Sequence, residues 1–155
     1  MIDGLEATLG IYAATFVVAV LSGFIPVVNA ELYLIGVAVV TGNVWLAVVL
    51  GVIVAAGQMV AKIGIYQAAR SASSLGGRRG PKYEAKLAKA RALVDKWRDK
   101  PFVLLFVSAS TGLPPFFIVS LLAGMLSIKF RPFVTIGMLG RTLRFVTIAL
   151  VALLF

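Results

Sequence analysis

Apolar residues run along this chain in long stretches with short polar interruptions, the pattern of helices that cross or enter a bilayer. The stretches cover residues 8–41, 44–69, 101–128 and 132–155, against the ~20 apolar residues that span a hydrocarbon core of ~30 Å. The first is too long for one span and too short for two. It breaks at Pro26-Val27-Val28-Asn29, where proline removes a backbone donor and restricts the residue before it. Residues 8–42 therefore read as a helical hairpin dipping into the membrane, with Pro26–Ala30 at its tip. Thr41-Gly42-Asn43 supplies turn chemistry, and 44–69 then makes a full crossing.

The second half repeats this layout. Residues 101–128 break at Thr111-Gly112-Leu113-Pro114-Pro115, a turn signal inside an apolar segment. Ser127–Pro132 closes that hairpin, and 132–155 crosses again. An offset of 88 residues places Pro26 on Pro114, Gly36 on Gly124 and Val44 on Pro132. A hairpin plus one crossing carries the chain across the membrane once, so the two units are inverted relative to each other. The uncharged turn at 41–43 then faces outside and the turn holding Lys129 and Arg131 faces the cytoplasm, as the positive-inside rule asks. The predicted fold is an all-α polytopic membrane protein with one domain, 1–155. It has two inverted repeats (8–69 and 101–155), each a re-entrant helical hairpin plus a transmembrane helix. Such repeats are a recurring transporter plan, and their broken backbone must be buried in protein or line an aqueous cavity.

Between the repeats, Ser71–Gly80 is a Gly/Ser/Arg linker. Residues 82–99 set Tyr83, Leu87, Leu93, Val94 and Trp97 among lysines and arginines, which predicts an amphipathic helix at the interface. Residues 70–100 hold ten Lys/Arg against three acids, which assigns the segment to the cytoplasm and attracts anionic headgroups. That distribution decides how the net charge of +9 is read. It is a topological and lipid-facing charge, and no nucleic-acid partner is expected. The composition, 61% hydrophobic with a mean hydropathy of +1.02, implies an integral membrane protein whose partners are membrane lipids; a homo-oligomer is compatible with it. The first seven residues carry Asp3 and Glu6 without a base, so 8–25 reads as mature structure rather than a leader. With no cysteine and no histidine, thiol nucleophiles, Cys/His zinc sites and imidazole catalysis are excluded. No metal or cofactor is expected.

Four charged residues lie inside the apolar stretches: Glu31, Lys62, Arg141 and Arg144. At mid-membrane each costs at least ~2.5–3.5 kcal/mol unless it finds a partner or water. Arg141 lies ten residues past Arg131, a helical rise of ~15 Å that reaches mid-depth. Arg144 follows on the same face, and two guanidiniums there offer forked donors to phosphate or carboxylate. The competing reading pairs them with Glu31 or with carbonyls freed at the tips. Glu31 lies just past the first tip, ~18 Å of helix before Asn43, as a proton-coupling group or a structural ion pair. Asn29, Ser110 and Thr111 either orient solute or satisfy loose backbone groups, and Pro26, Gly112, Pro114 and Pro115 shape the tips. Lys62 is expected to snorkel to the cytoplasmic surface and Gln58 to hydrogen-bond between helices. Gly51, Gly57, Gly137 and Gly140 permit close helix approach, and Trp45 is an interfacial anchor.

Several of these segments, taken in order, resemble the DedA family, also called the VTT or SNARE-associated superfamily of membrane proteins. The resemblance is carried by Phe24-Ile-Pro-Val-Val-Asn-Ala-Glu31, Thr111-Gly-Leu-Pro-Pro115, Ala123-Gly124-Met125 with the basic turn before Pro132, and Gly140-Arg-Thr-Leu-Arg-Phe145. It covers most of residues 20–148. It implies two facing re-entrant hairpins and movement of lipids or lipid-linked phosphates, often tied to the proton gradient, in a bacterial or archaeal plasma membrane. By position, Glu31 matches the family's acidic residue after the first hairpin's proline, and Arg141 and Arg144 match its final-helix GRxxR. Ser108–Ser120 departs from the pattern in lacking the arginines many members carry around the second tip.

The expectation is therefore a DedA-type transporter that flips or scrambles phospholipid or lipid-linked phosphate, with proton coupling open. Glu31, Arg141, Arg144, Asn29 and Thr111 are its candidate substrate residues. A small-solute or ion channel and a structural assembly protein are the alternatives. An enzyme is not expected, since it needs convergent acids or a nucleophile with a base, and Glu31 is the one membrane-embedded acid.

Overall fold

A computed structural model describes residues 2–25, 27–74, 80–96 and 99–155, with no side-chain placement for 2, 83, 86, 90, 93 and 94. Among the described residues the chain is all helix: α1 (Ile2–Phe24), α2 (Ala30–Thr41), α3 (Val44–Ser74), α4 (Pro81–Asp95), α5 (Pro101–Thr111), α6 (Phe116–Met125) and α7 (Phe130–Ala152). Three of these, α1, α3 and α7, are long and apolar enough to cross a membrane. The other apolar helices are short. α2, α5 and α6 have 12, 11 and 10 residues, rising only ~18, ~17 and ~15 Å.

The breaks fall where the sequence puts them, and local chemistry explains each. α2 starts at Asn29, whose Oδ1 accepts from the backbone N–H of Glu31 at 2.9 Å and of Leu32 at 3.2 Å, an N-cap that satisfies two orphan donors. It ends at Gly42 with φ +58°, the left-handed stop glycine adopts most readily. α5 begins on Pro101 and ends at Gly112 with φ +80°. Pro115 then stands at the N-cap of α6 without a side-chain cap, and the Leu113–Pro114 peptide is cis. Pro26, the proline expected at the first tip, lies outside the described residues, as do Leu75–Arg79 of the linker and Trp97 and Arg98.

One boundary differs from expectation. The first arm was read as starting at residue 8, but α1 starts at Ile2 and takes Asp3 into its first turn, where an acid complements the helix dipole. At 23 residues α1 reaches full spanning length, whereas α5 has 11.

The packing has a crossed order. α1 lies along α3, α5 lies along α7, and α3 and α7 pack on each other; α6 packs on α3, and α2 packs on both α7 and α3. Small residues set the closest approaches. A Cβ built on Gly57 would stand 2.6 Å from Ala19 Cβ, and one on Gly140 would stand 2.7 Å from Ala109 Cβ. Gly51 meets the Val146 backbone and Gly137 meets Met59 and Phe116, so all four glycines sit at helix contacts, as membrane packing favours. Thr15 on α1 and Tyr33 on α2 share a hydrogen bond of 3.1 Å that ties α2 back to α1. Polar Thr15, Lys62, Ser108, Ser120 and Arg141 are buried, while Val17, Leu21, Val40 and Leu139 face outward. That distribution suits lipid as the surrounding solvent, because interior polar groups find partners and exterior apolar ones need none. α4 is mostly exposed, with Leu87 and Arg91 beside Ser73, Leu122 and Leu126. Of its expected apolar stripe, the Tyr83, Leu93 and Val94 side chains and Trp97 lie outside the described residues.

Candidate functional site

Both helix breaks open onto one cavity of about 440 Å³. The end of α1 contributes Ser22, Gly23 and Phe24, and the start of α2 contributes Glu31. The end of α5 brings Gly112 and the start of α6 brings Pro115 to Ile118. The long helices add Gln58 and Lys62 from α3 and Arg141 and Arg144 from α7.

Arg144 joins the two breaks. Its Nε donates to Glu31 Oε1 at 2.9 Å, and its Nη2 forms an ion pair with the same oxygen. The same guanidinium lies against Gly112, where a Cβ would stand 2.5 Å from Nη1. One side chain of α7 thus touches the start of α2 and the end of α5.

Arg141, one turn earlier, has different partners. Its Nη1 donates to Gln58 Oε1. Gln58 Nε2 in turn donates to Ser22 Oγ at 2.9 Å, and Ser22 Oγ donates to the Ala19 carbonyl at 2.8 Å. The guanidinium carbon sits 4.8 Å from the Phe116 ring centre and 5.9 Å from that of Phe145, distances at which the ring face attracts a cation. Phe116 is the last ring of a row that runs through Phe133 to Tyr66, with centroids 6.1 and 4.7 Å apart. Tyr66 itself is anchored by its hydroxyl to the Ile128 carbonyl. The row fixes where the first turn of α6 can sit, and so where Arg141 finds its ring.

Lys62 corrects the sequence reading. Rather than reaching out to the surface, it is only 6% exposed. Its Nζ donates to the Gly23 carbonyl at 2.6 Å and lies 5.5 Å from the Phe117 ring centre. The last turn of α1 leaves carbonyls without intrahelical partners, and a buried ammonium satisfies one of them. The signal was present in the sequence: Gln58 and Lys62 are four apart within the otherwise apolar stretch 44–65 of α3 and must share a face.

Of the other residues singled out, Asn29 spends its side chain on the α2 cap, and Thr111 on its own turn. Thr111 Oγ1 donates to Val107 O at 2.7 Å and accepts from Leu113 N–H at 3.1 Å. Ser110 Oγ donates back to Phe106 O. None of the three lines the cavity. Pro114 offers its carbonyl to the buried Ser108 hydroxyl, and Pro115 is at the cavity wall. Among the described residues, no group of His, Cys, Asp or Glu is placed to hold a metal ion.

No family model, no curated protein sequence and no solved structure matches the chain.

Proposed function

We propose that this protein is a membrane carrier of the DedA/VTT type, moving a phospholipid or lipid-linked phosphate between leaflets. The observation that carries the reading is one cavity at which both helix breaks meet the charges of α3 and α7. A helix interrupted within the apolar layer is tolerated only where it lines such a cavity. Three basic side chains and one acid in its wall suit an anionic headgroup better than a neutral one.

In this reading the two halves are inverted repeats, α1–α2–α3 and α5–α6–α7, with α2, α5 and α6 as re-entrant arms. Their lengths, too short to cross, and the crossed packing of α2 on α7 and α6 on α3 support it. Arg141 and Arg144 supply binding charge, and Glu31 competes with the headgroup for Arg144. Alternating access comes from one half rocking against the other around the fixed site. The basic segment 70–100 lies in the cytoplasm, and the Arg144 guanidinium stands where the second tip has no arginine of its own.

The test is lipid translocation by purified protein in proteoliposomes, with fluorescent phosphatidylglycerol in one leaflet. Arg141→Ala abolishes movement while the protein still elutes as a folded species; retained movement would sink the carrier reading. If Glu31 couples transport to protons, as the family resemblance implies, Glu31→Gln should flatten the pH dependence of transport. An unchanged profile excludes that role. The cavity would also admit a small anion, and ion flux without lipid movement would favour the channel instead.

A further inference from the structure

Charge around the cavity is unevenly matched. Lys62, Arg141 and Arg144 face a single carboxylate among the described lining residues, Glu31. Glu31 is committed to Arg144. Lys62 and Arg141 are 6% and 8% exposed, yet each group described in hydrogen-bond or ring contact with them is neutral, the Glu31 carboxylate acting on Arg141 only across space. Lys62 has the Gly23 carbonyl and the Phe117 face; Arg141 has the Gln58 amide and two phenylalanine rings. Arg141 Nε is buried with no hydrogen-bond partner, a donor whose desolvation nothing in the chain offsets. An ammonium carries three donors, and the one described partner of Lys62 leaves others free to turn into the cavity.

A second feature points the same way. α6 opens on Pro115 with no side-chain cap, and its first residues line the cavity. Pro115 has no N–H and the Ile118 N–H bonds back to the Pro115 carbonyl, so it is the Phe116 and Phe117 N–H groups, with the positive end of the dipole, that favour an anion there.

The geometry points to an anion seat formed by Lys62, Arg141 and the start of α6, separate from the Glu31–Arg144 pair. Lys62 is then a ligand-binding residue. Gln58 is a positioning residue, holding the Arg141 guanidinium by one end of its amide and Ser22 by the other. The occupant is a phosphate or carboxylate group, carried on a lipid or free in solution. The inference rests on the carrier reading and deepens it: the headgroup is first seated between α3 and α7, and Arg144 joins it on leaving Glu31.

The test uses the whole protein in detergent micelles, with thermal stabilisation by dihexanoyl phosphatidic acid, dihexanoyl phosphatidylcholine and inorganic phosphate as readout. Phosphatidic acid should stabilise where phosphatidylcholine does not. Lys62→Gln should weaken that response by about tenfold or more, the scale of one hydrogen bond to a charged group. Lys62→Arg should restore it. A response to inorganic phosphate as well, dependent on Lys62, assigns the free anion as an occupant; a response to phosphatidic acid alone assigns the lipid. Binding by Lys62→Gln equal to wild type overturns the seat. The unaltered protein gives an independent arm: phosphatidic acid should slow acylation of Lys62 by an N-hydroxysuccinimide ester, read by mass spectrometry, and unchanged labelling overturns the proposal. The two readings fail separately. Lys62-dependent binding without translocation keeps the seat and removes the carrier, whereas translocation untouched by Lys62→Gln removes the seat alone.

Discussion

At Gly112 the backbone holds φ +80° and the space a side chain would fill belongs to Arg144 Nη1. A non-glycine residue in the left-handed region costs roughly 1–2 kcal/mol. Gly112→Ala should therefore lower the unfolding temperature in micelles and loosen the Arg144–Glu31 pair. Gly36→Ala is the matched opposite, in a helix interior with nothing within 4 Å. It should stabilise by ~0.5–1 kcal/mol. Equal shifts at the two positions would contradict this account. At this scale the sequence spoke clearly about backbone and poorly about side-chain direction. Glycine, proline and asparagine dictate torsion angles, so the turns at 41–43 and 111–115 were legible. Spacing put Arg141 and Arg144 on one face, but a guanidinium reaches far from its Cα, and the two found different partners, Gln58 and Glu31. Lys62 was misjudged because a long stem can carry its ammonium out to the surface or inward, and only the free carbonyl of Gly23 decided which.

Helix pairs are held by small residues at two equivalent seams. On the α1–α3 seam an added Cβ at Gly57 would also stand 2.9 Å from the Phe16 carbonyl, and on the α5–α7 seam one at Gly140 would stand 3.1 Å from that of Phe106. Backbone does not yield as a side-chain tip does. Gly57→Ala and Gly140→Ala should each destabilise by ~1–3 kcal/mol through overpacking, while Gly10→Ala, which meets nothing within 4 Å, should not. Unfolding temperatures of the three variants check this. The glycines were picked out from sequence because small residues in an apolar helix have few other uses. The reach of α1 back to Ile2 was not, because Asp3 and Glu6 read equally well as flanking residues and as a charged first turn.

Taken whole, the proposed arrangement places the two ends of α3 on opposite sides of the membrane. Its 31 residues rise ~46 Å, more than a hydrocarbon core. The chain has no cysteine, so single substitutions report cleanly. Trp45→Cys and Ser74→Cys should react with a membrane-impermeant maleimide from opposite faces of sealed vesicles, and Lys129→Cys should share the face of Ser74. Trp45 and Ser74 labelled from one side would dismantle the inverted plan. Apolar length predicts two full crossings, 44–69 and 132–155, whereas three helices, α1 among them, are long and apolar enough to cross; the order of packing was not legible at all. It depends on which small faces fit which, and low identity between the halves hides that fit.

That crossed order bears on how the protein is made. A ribosome delivers α1, α2 and α3 first, and α3 then carries a glycine groove shaped for Val146 and an amide, Gln58, whose arginine has yet to be translated. The early half must linger in the bilayer unfinished. Insertion of the last long helix packs α7 on α3 and α5 together, so a chain stalled before it should be recognised and degraded as incomplete.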